Sequence, residues 1–175
     1  MTRQIAADET AKLVTGNCFE GLVRLDESGA IVPGAAQRWD VSADGRTYTF
    51  HLREGMKWHI ADSDELEELL GKGKTIDTTL NAEDFAFGLK RALLPETGMA
   101  SAKALYAIEN AQAVHRGTAR SDQLGVRVVN ASTLEIRLAR ADSAFLYALT
   151  LPMSMPCDEA FFLATSGRYG WSGSI

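Results

Sequence analysis

Few residues of this chain have the types and the spacing that catalysis or metal binding requires. The run Gly71–Thr75 reads Gly-Lys-Gly-Lys-Thr, which is how a phosphate-binding P-loop ends. A P-loop also needs a glycine five residues before the glycine that precedes its lysine, so that backbone amides can surround the phosphates. That position is Glu68, whose negative charge would repel a phosphate. We therefore interpret Gly71–Thr75 as a solvated loop that follows a helix.

The histidines and cysteines do not form a metal-binding pattern either. His51 and His59 straddle an expected turn, and the sequence contains no HExxH motif. Cys18 and Cys157 lie far apart and have no CxxC or His-flanked companion. A disulfide between them would need Cα atoms within about 7 Å, which a sequence does not reveal. That pairing stays open, and two free, buried thiols are the preferred interpretation.

Other catalytic patterns are missing from the sequence as well. No serine lies in a GxSxG nucleophile elbow. The carboxylate pairs Asp62/Asp64 and Glu67/Glu68 are typical of a solvated helix face. The triplet Asn130–Ser132 matches a glycosylation signal but is interpreted more simply as a hairpin turn. We therefore predict that the protein is not an enzyme and that it holds no metal and no cofactor.

Composition and charge restrict the class of protein further. The chain has 175 residues, of which 46% are hydrophobic and 23% charged, enough for a packed core. A net charge of −5 without a basic run argues against binding to nucleic acid. No apolar run approaches the roughly 18 residues that span a bilayer, and the first residues contain no hydrophobic signal core.

Two hairpins are predicted from turn signals and alternating hydrophobicity. Trp39–Val41 and Thr47–Arg53 flank an Asp44-Gly45 turn. Gly125–Val129 and Thr133–Leu138 form the second hairpin. The residues expected on the buried face of the Thr47–Arg53 strand are Tyr48, Phe50 and Leu52.

Helices are predicted between and beside the hairpins. The clearest begins at the N-cap Asn81 and ends before Pro95, and Ser101–His115 is predicted as a second continuous helix. The other expected helices are Gln4–Val14, Ser63–Leu70, Ala144–Leu149 and Asp158–Thr165. The other extended segments are Phe19–Leu25, Ile31–Pro33 and Leu151–Pro156. This irregular mixture of helices and antiparallel hairpins favours an α+β fold over a doubly wound parallel sheet.

Six blocks of the sequence, in order, resemble the family 5 extracellular solute-binding proteins of ABC importers, the peptide-, oligopeptide- and nickel-type receptors. The block Val32–Gly55 reads Val-Pro-Gly-Ala-Ala-Gln-Arg-Trp-Asp-Val-Ser-Ala-Asp-Gly-Arg-Thr-Tyr-Thr-Phe-His-Leu-Arg-Glu-Gly. The other blocks are Asn17–Asp26, Asn81–Gly98, Leu124–Val128, Thr133–Leu138 and Phe145–Pro156. Together they extend over most of the chain.

The resemblance implies a fold and a function. Residues 1–175 would form part of the N-terminal lobe of a periplasmic-binding-protein-like (type II) fold, with about 35–145 as a small extra α+β subdomain. The whole receptor would capture oligopeptides outside the membrane by hinge closure and deliver them to the permease subunits. It would be a monomer that lies in the periplasm or on the cell surface as a lipoprotein, although the N-terminal residues alone suggest the cytoplasm.

The resemblance also implies a few ligand-facing residues. They are Asn17, Cys18, Phe19, Leu151 and Met153. Core packing is the alternative role for each of them. Where many relatives have an aromatic residue, this chain has Met99–Ala102, which argues against an aromatic peptide clamp there.

Two alternatives stay open. The same receptor fold could bind a nickel chelate, haem or an oligosaccharide. The chain could instead be a non-enzymatic protein-interaction module that docks a partner through Ile60–Leu80, an insertion relative to the family pattern. Because insertions concentrate in surface loops, we interpret Ile60–Leu80 as a peripheral decoration.

Overall fold

A computed structural model describes residues 20–59 and 77–164. The predicted helices Gln4–Val14 and Ser63–Leu70 and the loop Gly71–Thr75 lie outside these residues. The strands are β1 (Val23–Leu25), β2 (Ile31–Pro33), β3 (Ala36–Val41), β4 (Thr47–Leu52), β5 (Val126–Asn130) and β6 (Thr133–Arg137). The helices are α1 (Ala82–Ala92), α2 (Ala111–His115), α3 (Phe145–Ala148) and α4 (Glu159–Ala164). Short 3-10 turns cover Pro95–Thr97, Ala100–Leu105, Ser121–Gln123 and Pro152–Ser154.

Four of the strands form one antiparallel sheet, in the order β3-β4-β6-β5, and β1 pairs with β2 in a separate small sheet. Both predicted hairpins are confirmed by β3-β4 and β5-β6. In the first turn Gly45 has a φ of +67°, and the Asp44 side chain accepts the Arg46 N–H at 3.1 Å. In the second, Asn130 Oδ1 accepts the Ser132 N–H at 3.0 Å. These are the local interactions that make such turn residues effective.

One face of the four-stranded sheet is buried against helices. Tyr48, Phe50 and Leu52 are all buried, as the alternation predicts, and Phe50 lies opposite Trp39 and Leu134 on the neighbouring strands. The other face carries charged pairs, such as Arg127 with Glu135. The α+β prediction of helices with antiparallel hairpins is therefore confirmed.

Helix α1 packs across the sheet and begins with a capping box. Asn81 Oδ1 accepts the Glu83 N–H at 2.7 Å, and Asp84 Oδ2 accepts the Asn81 N–H at 2.8 Å. Two N–H groups without partners inside the helix are thereby satisfied. The helix ends at Ala92, and Pro95 starts the following 3-10 turn. In the part of the chain that the structure describes, no helix is both long enough and apolar enough to span a membrane.

We expect the substitution Asn81→Ala to lower the free energy of unfolding by about 1 kcal/mol, because it removes the cap of α1. Chemical denaturation followed by circular dichroism would measure the change. Asn81→Ser keeps a side-chain oxygen at the cap and should recover most of the loss. A serine variant as unstable as the alanine variant would contradict a capping role for Asn81.

The predicted continuous helix over Ser101–His115 is wrong. The chain forms a 3-10 turn at Ala100–Leu105, and α-helix begins only at α2. The residue before α2, Asn110, is in the left-handed conformation with a φ of +63°. Between the 3-10 turn and α2, the Glu109 N–H donates to the Arg137 carbonyl at 2.9 Å, and the Glu109 carbonyl accepts the Gly125 N–H at 2.9 Å. These bonds attach the segment to the sheet, and they take the place of the hydrogen bonds that Glu109 would make within a helix.

The predicted extended segment Leu151–Pro156 is also partly wrong. Its middle forms the 3-10 turn Pro152–Ser154. Pro152 is at the start of the turn, where its fixed φ is favourable and its missing N–H costs nothing.

Candidate functional site

The chain enters the described structure along a segment that contacts another part of the backbone closely. A Cβ atom on Gly21 would lie 3.0 Å from the Leu149 carbonyl oxygen and 3.5 Å from Met155 Cε. The absence of a side chain at Gly21 therefore lets these two segments approach each other. This contact places the backbone just after Phe19 beside the segment that contains Leu151 and Met153.

A second close approach fixes residues 20–22, which we call the entry segment, on their other side. A Cβ atom on Gly34 would lie 2.5 Å from the Gly21 carbonyl oxygen. The Ala35 N–H donates to that carbonyl at 2.9 Å, and the Ala36 N–H donates to the Leu22 carbonyl at 3.0 Å. The β2-β3 connection thus positions residues 20–22.

Residues 147–155 contain the predicted ligand-facing residues Leu151 and Met153, and for that reason we call them the ligand-facing segment. They are held by a buried hydroxyl. Ser154 is 1% exposed, and its Oγ donates to the Leu151 carbonyl at 2.6 Å, with a longer contact of 3.2 Å to the Ala148 carbonyl. The same two carbonyls also accept backbone N–H groups, from Ser154 at 3.0 Å and from Leu151 at 3.3 Å, so the hydroxyl adds to the backbone bonds that hold this turn.

The side chains of the ligand-facing segment differ in accessibility. Tyr147 is 51% exposed, Leu151 is half-buried, and Met153 is 5% exposed within the core. Leu151 is thus partly accessible, although it also packs against the core, whereas the burial of Met153 favours packing. The sequence prediction did not include Tyr147. The signal in the sequence was an aromatic residue four positions before Leu151, within an apolar block.

The remaining predicted ligand-facing residues, Asn17, Cys18 and Phe19, lie outside the described residues. The structure brings their neighbour Gly21 against the ligand-facing segment, so two of the blocks that carry the predicted residues meet in space. The ligand-contact role of all five residues stays a prediction.

The described cysteine lacks the properties of a reactive one. Cys157 is a buried free thiol, as predicted, and burial raises its pKa to about 11. Because the thiolate is the nucleophile, this thiol is unreactive near neutral pH. Cys18 lies outside the described residues.

His51 has a partner on the charged face of the sheet. Its Nε2 lies 2.7 Å from Asp40 Oδ2, and this hydrogen bond is the main cause of a lowered Asp40 pKa. Within residues 20–59 and 77–164, no three His, Cys, Asp or Glu residues are grouped in a way that could hold a metal ion.

Comparison with known proteins gives consistent matches over this fold. Residues 30–168 match the family model described as bacterial extracellular solute-binding proteins, family 5 middle. The chain is 30% identical to a dipeptide-binding protein of Lactococcus lactis, over 96% of the chain and 28% of that protein. It is 34% identical to a probable deoxycholate-binding periplasmic protein of Escherichia coli, over 87% of the chain and 26% of that protein.

A solved structure confirms the architecture. The chain superposes with a TM-score of 0.82 and 33% identity on the substrate-binding domain of an oligopeptide ABC transporter from Bacillus anthracis. The match covers 96% of the chain and 29% of that structure. The chain therefore spans less than a third of the length of these similar proteins, and the observed fold is a partial domain of the periplasmic-binding-protein type.

Proposed function

The chain belongs to the family 5 bacterial extracellular solute-binding proteins, and we propose that the whole protein captures oligopeptides outside the membrane for an ABC importer. The observation that carries this proposal is the combined match in sequence and fold to peptide-binding proteins. The Lactococcus relative is a dipeptide-binding protein, and the Bacillus structure is the substrate-binding domain of an oligopeptide transporter. Each match covers 96% of the chain.

The proposed mechanism is capture by closure, without chemistry on the ligand. A ligand that contacts both lobes binds the closed form more tightly and shifts the population toward it. In this chain the ligand-facing segment would contribute apolar contacts from Leu151 and the exposed Tyr147. Asn17, Cys18 and Phe19, which precede the entry segment, would complete the contact, and Met153 would support Leu151 from the core. No bond is made or broken, so the protein is not an enzyme.

The proposed location and partners follow from this role. The receptor would be periplasmic or attached to the cell surface as a lipoprotein, and a monomer would present the closed, loaded form to the permease subunits. Within the chain, about 35–145 would be the small extra subdomain. The four-stranded sheet and α1 lie inside that range.

A second ligand class is favoured by one specific relative. The similar protein from Escherichia coli carries the description probable deoxycholate-binding, so an amphipathic steroid acid is the second candidate. The Tyr147 and Leu151 side chains would suit its apolar face as well as a peptide side chain. Nickel chelates, haem and oligosaccharides are the further ligands to be compared.

Titration calorimetry on the full-length protein tests the proposal. We expect binding of di- to oligopeptides and no binding of deoxycholate, nickel, haem or oligosaccharides. The 175-residue chain alone should show negligible peptide affinity, because the second lobe supplies much of the contact. Binding of another ligand and of no peptide would replace the peptide assignment within the same receptor fold. Binding of none of these ligands would contradict the proposal.

Leu151→Ser in the full-length protein tests the ligand-facing segment. We expect peptide affinity to fall several-fold, because a half-buried apolar contact is lost. Val41→Ser is the control for the loss of an apolar side chain, since Val41 is 47% exposed on strand β3 and is not one of the proposed ligand-facing residues. Equal effects of the two substitutions would argue against contact between Leu151 and the peptide.

A further inference from the structure

The end of the described chain is seated on helix α1. The Cys157 N–H donates to the Asp84 carbonyl at 3.0 Å. Further along, in helix α4, the centroid of the Phe162 ring lies 4.6 Å from the guanidinium carbon of Arg91 and 5.7 Å from the ring centroid of Phe87. Residues 157–164, which we call the exit segment, therefore contact α1 at both its first and its last turn.

The carboxylate of Asp84 lies at the first of these contacts and is removed from water. Asp84 is 6% exposed, and its Oδ2 accepts the Asn81 N–H at 2.8 Å. The buried Nε1–H of Trp58 lies close enough to favour the ionised carboxylate, although it forms no hydrogen bond of good geometry. A carboxylate in such a position is costly to ionise unless its partners compensate for lost water.

The charges around Asp84 are mostly negative. Glu83 precedes it on α1, and the exit segment brings Asp158 near the carboxylate. The same segment also contributes Glu159 and the neutral thiol of Cys157, and the positive charge of Arg91 acts on that thiol. Burial, followed by the charge of Asp158, raises the Asp84 pKa to about 6 against the opposing hydrogen bond from Asn81.

We propose that Asp84 and Asp158 form a proton-dependent latch, in which the exit segment docks more tightly on α1 when Asp84 is protonated. In the docked state the Asp84 carboxylate is buried, and the charge of Asp158 acts on it. Both effects oppose docking while Asp84 is charged, and both weaken once it is neutral. The latch rests on contacts within this chain and does not depend on the identity of the ligand.

The direction of the pH effect follows from the two states of Asp84. When the exit segment opens, Asp84 returns to water and its pKa falls toward the ordinary value of 3.8. The docked state therefore binds more protons than the open state between about pH 4 and pH 6. Docking strengthens as the pH falls through about 6 and changes little below about pH 4.

Hydrogen exchange of the Cys157 amide measures the latch directly, because this N–H bonds the Asp84 carbonyl. In the intact protein, its protection factor, corrected for the intrinsic exchange rate, should rise about ten-fold between about pH 7.5 and about pH 5. The expected ten-fold follows from a pKa of about 6 in the docked state and 3.8 in the open state.

Three variants decide the result. Asp84→Asn keeps an oxygen that can accept the Asn81 N–H and should abolish the pH dependence. In the wild-type protein Asp158 Oδ1 accepts the Phe161 N–H at 2.6 Å. Asp158→Asn keeps an oxygen for that bond and should reduce the rise in protection. Asp122→Asn removes an exposed carboxylate outside the cluster and should leave the rise unchanged. The proposal is overturned if the wild-type protection does not rise, if the rise survives in Asp84→Asn, or if Asp158→Asn leaves it at full size.

Discussion

Replacing Phe50 with alanine is expected to lower the free energy of unfolding by about 3–5 kcal/mol, the usual cost of deleting a fully buried aromatic ring. Phe50 is 0% exposed at the centre of β4. Its ring centroid lies 6.4 Å from that of Trp39 and 6.3 Å from that of Tyr48, so the substitution also removes two aromatic contacts. Urea denaturation monitored by tryptophan fluorescence would measure the loss.

Thr49→Ala is the matched control for Phe50→Ala. Thr49 is the next residue of the same strand, and it lies on the opposite, charged face between Asp40 and Glu135. Its loss should cost no more than about 1 kcal/mol, the span of strand propensity. Comparable losses in the two variants would contradict the assignment of the buried face.

Most of the sheet was predictable because its signals are local. The alternation around Phe50 identifies one buried face, and Asp44-Gly45 supplies a turn through its own backbone and side-chain preferences. The start of α1 was predictable for the same reason, since Asn81 makes its capping bonds within three residues. Where a few neighbouring residues determine the conformation, sequence and structure agree.

The Ser101–His115 segment shows what local signals miss. Its apolar spacing suits a helix, and Leu105, Ile108 and Ala111 are all buried as such a face would be. The backbone at Glu109 nevertheless bonds to Arg137 and Gly125, which are distant in sequence. Tertiary hydrogen bonds decided the conformation there, and nothing in the segment itself indicates them.

The candidate site depends on contacts of the same non-local kind. The sequence offers Leu151 and Met153 as equivalent candidates, but only packing shows one half-buried and the other in the core. Likewise, Asp84 reads as a helix N-terminal acid that complements the helix dipole. The sequence indicates neither its burial nor its contact with Cys157, a residue distant in sequence whose N–H donates to the Asp84 carbonyl.

The substitution Gly34→Ala is expected to lower the free energy of unfolding by about 1–3 kcal/mol, the cost of overfilling a packed site. The added Cβ would lie 2.5 Å from the Gly21 carbonyl oxygen and 3.1 Å from that of Leu22. Both obstacles are backbone atoms, so no side-chain rotation relieves the overlap. The β2-β3 connection would have to move away from residues 20–22 and weaken the Ala35 bond to Gly21.

The same displacement should reach the candidate site, because Gly21 contacts Leu149 and Met155 on its other side. We therefore expect Gly34→Ala to weaken peptide binding by the full-length protein as well as its stability. Gly29→Ala is the control: Gly29 has a φ of +80° with open space around it, so alanine there meets only left-handed backbone strain of about 1–2 kcal/mol. That variant should keep its ligand affinity. If Gly34→Ala lost stability but bound peptide as tightly as Gly29→Ala, the entry segment would not position the site.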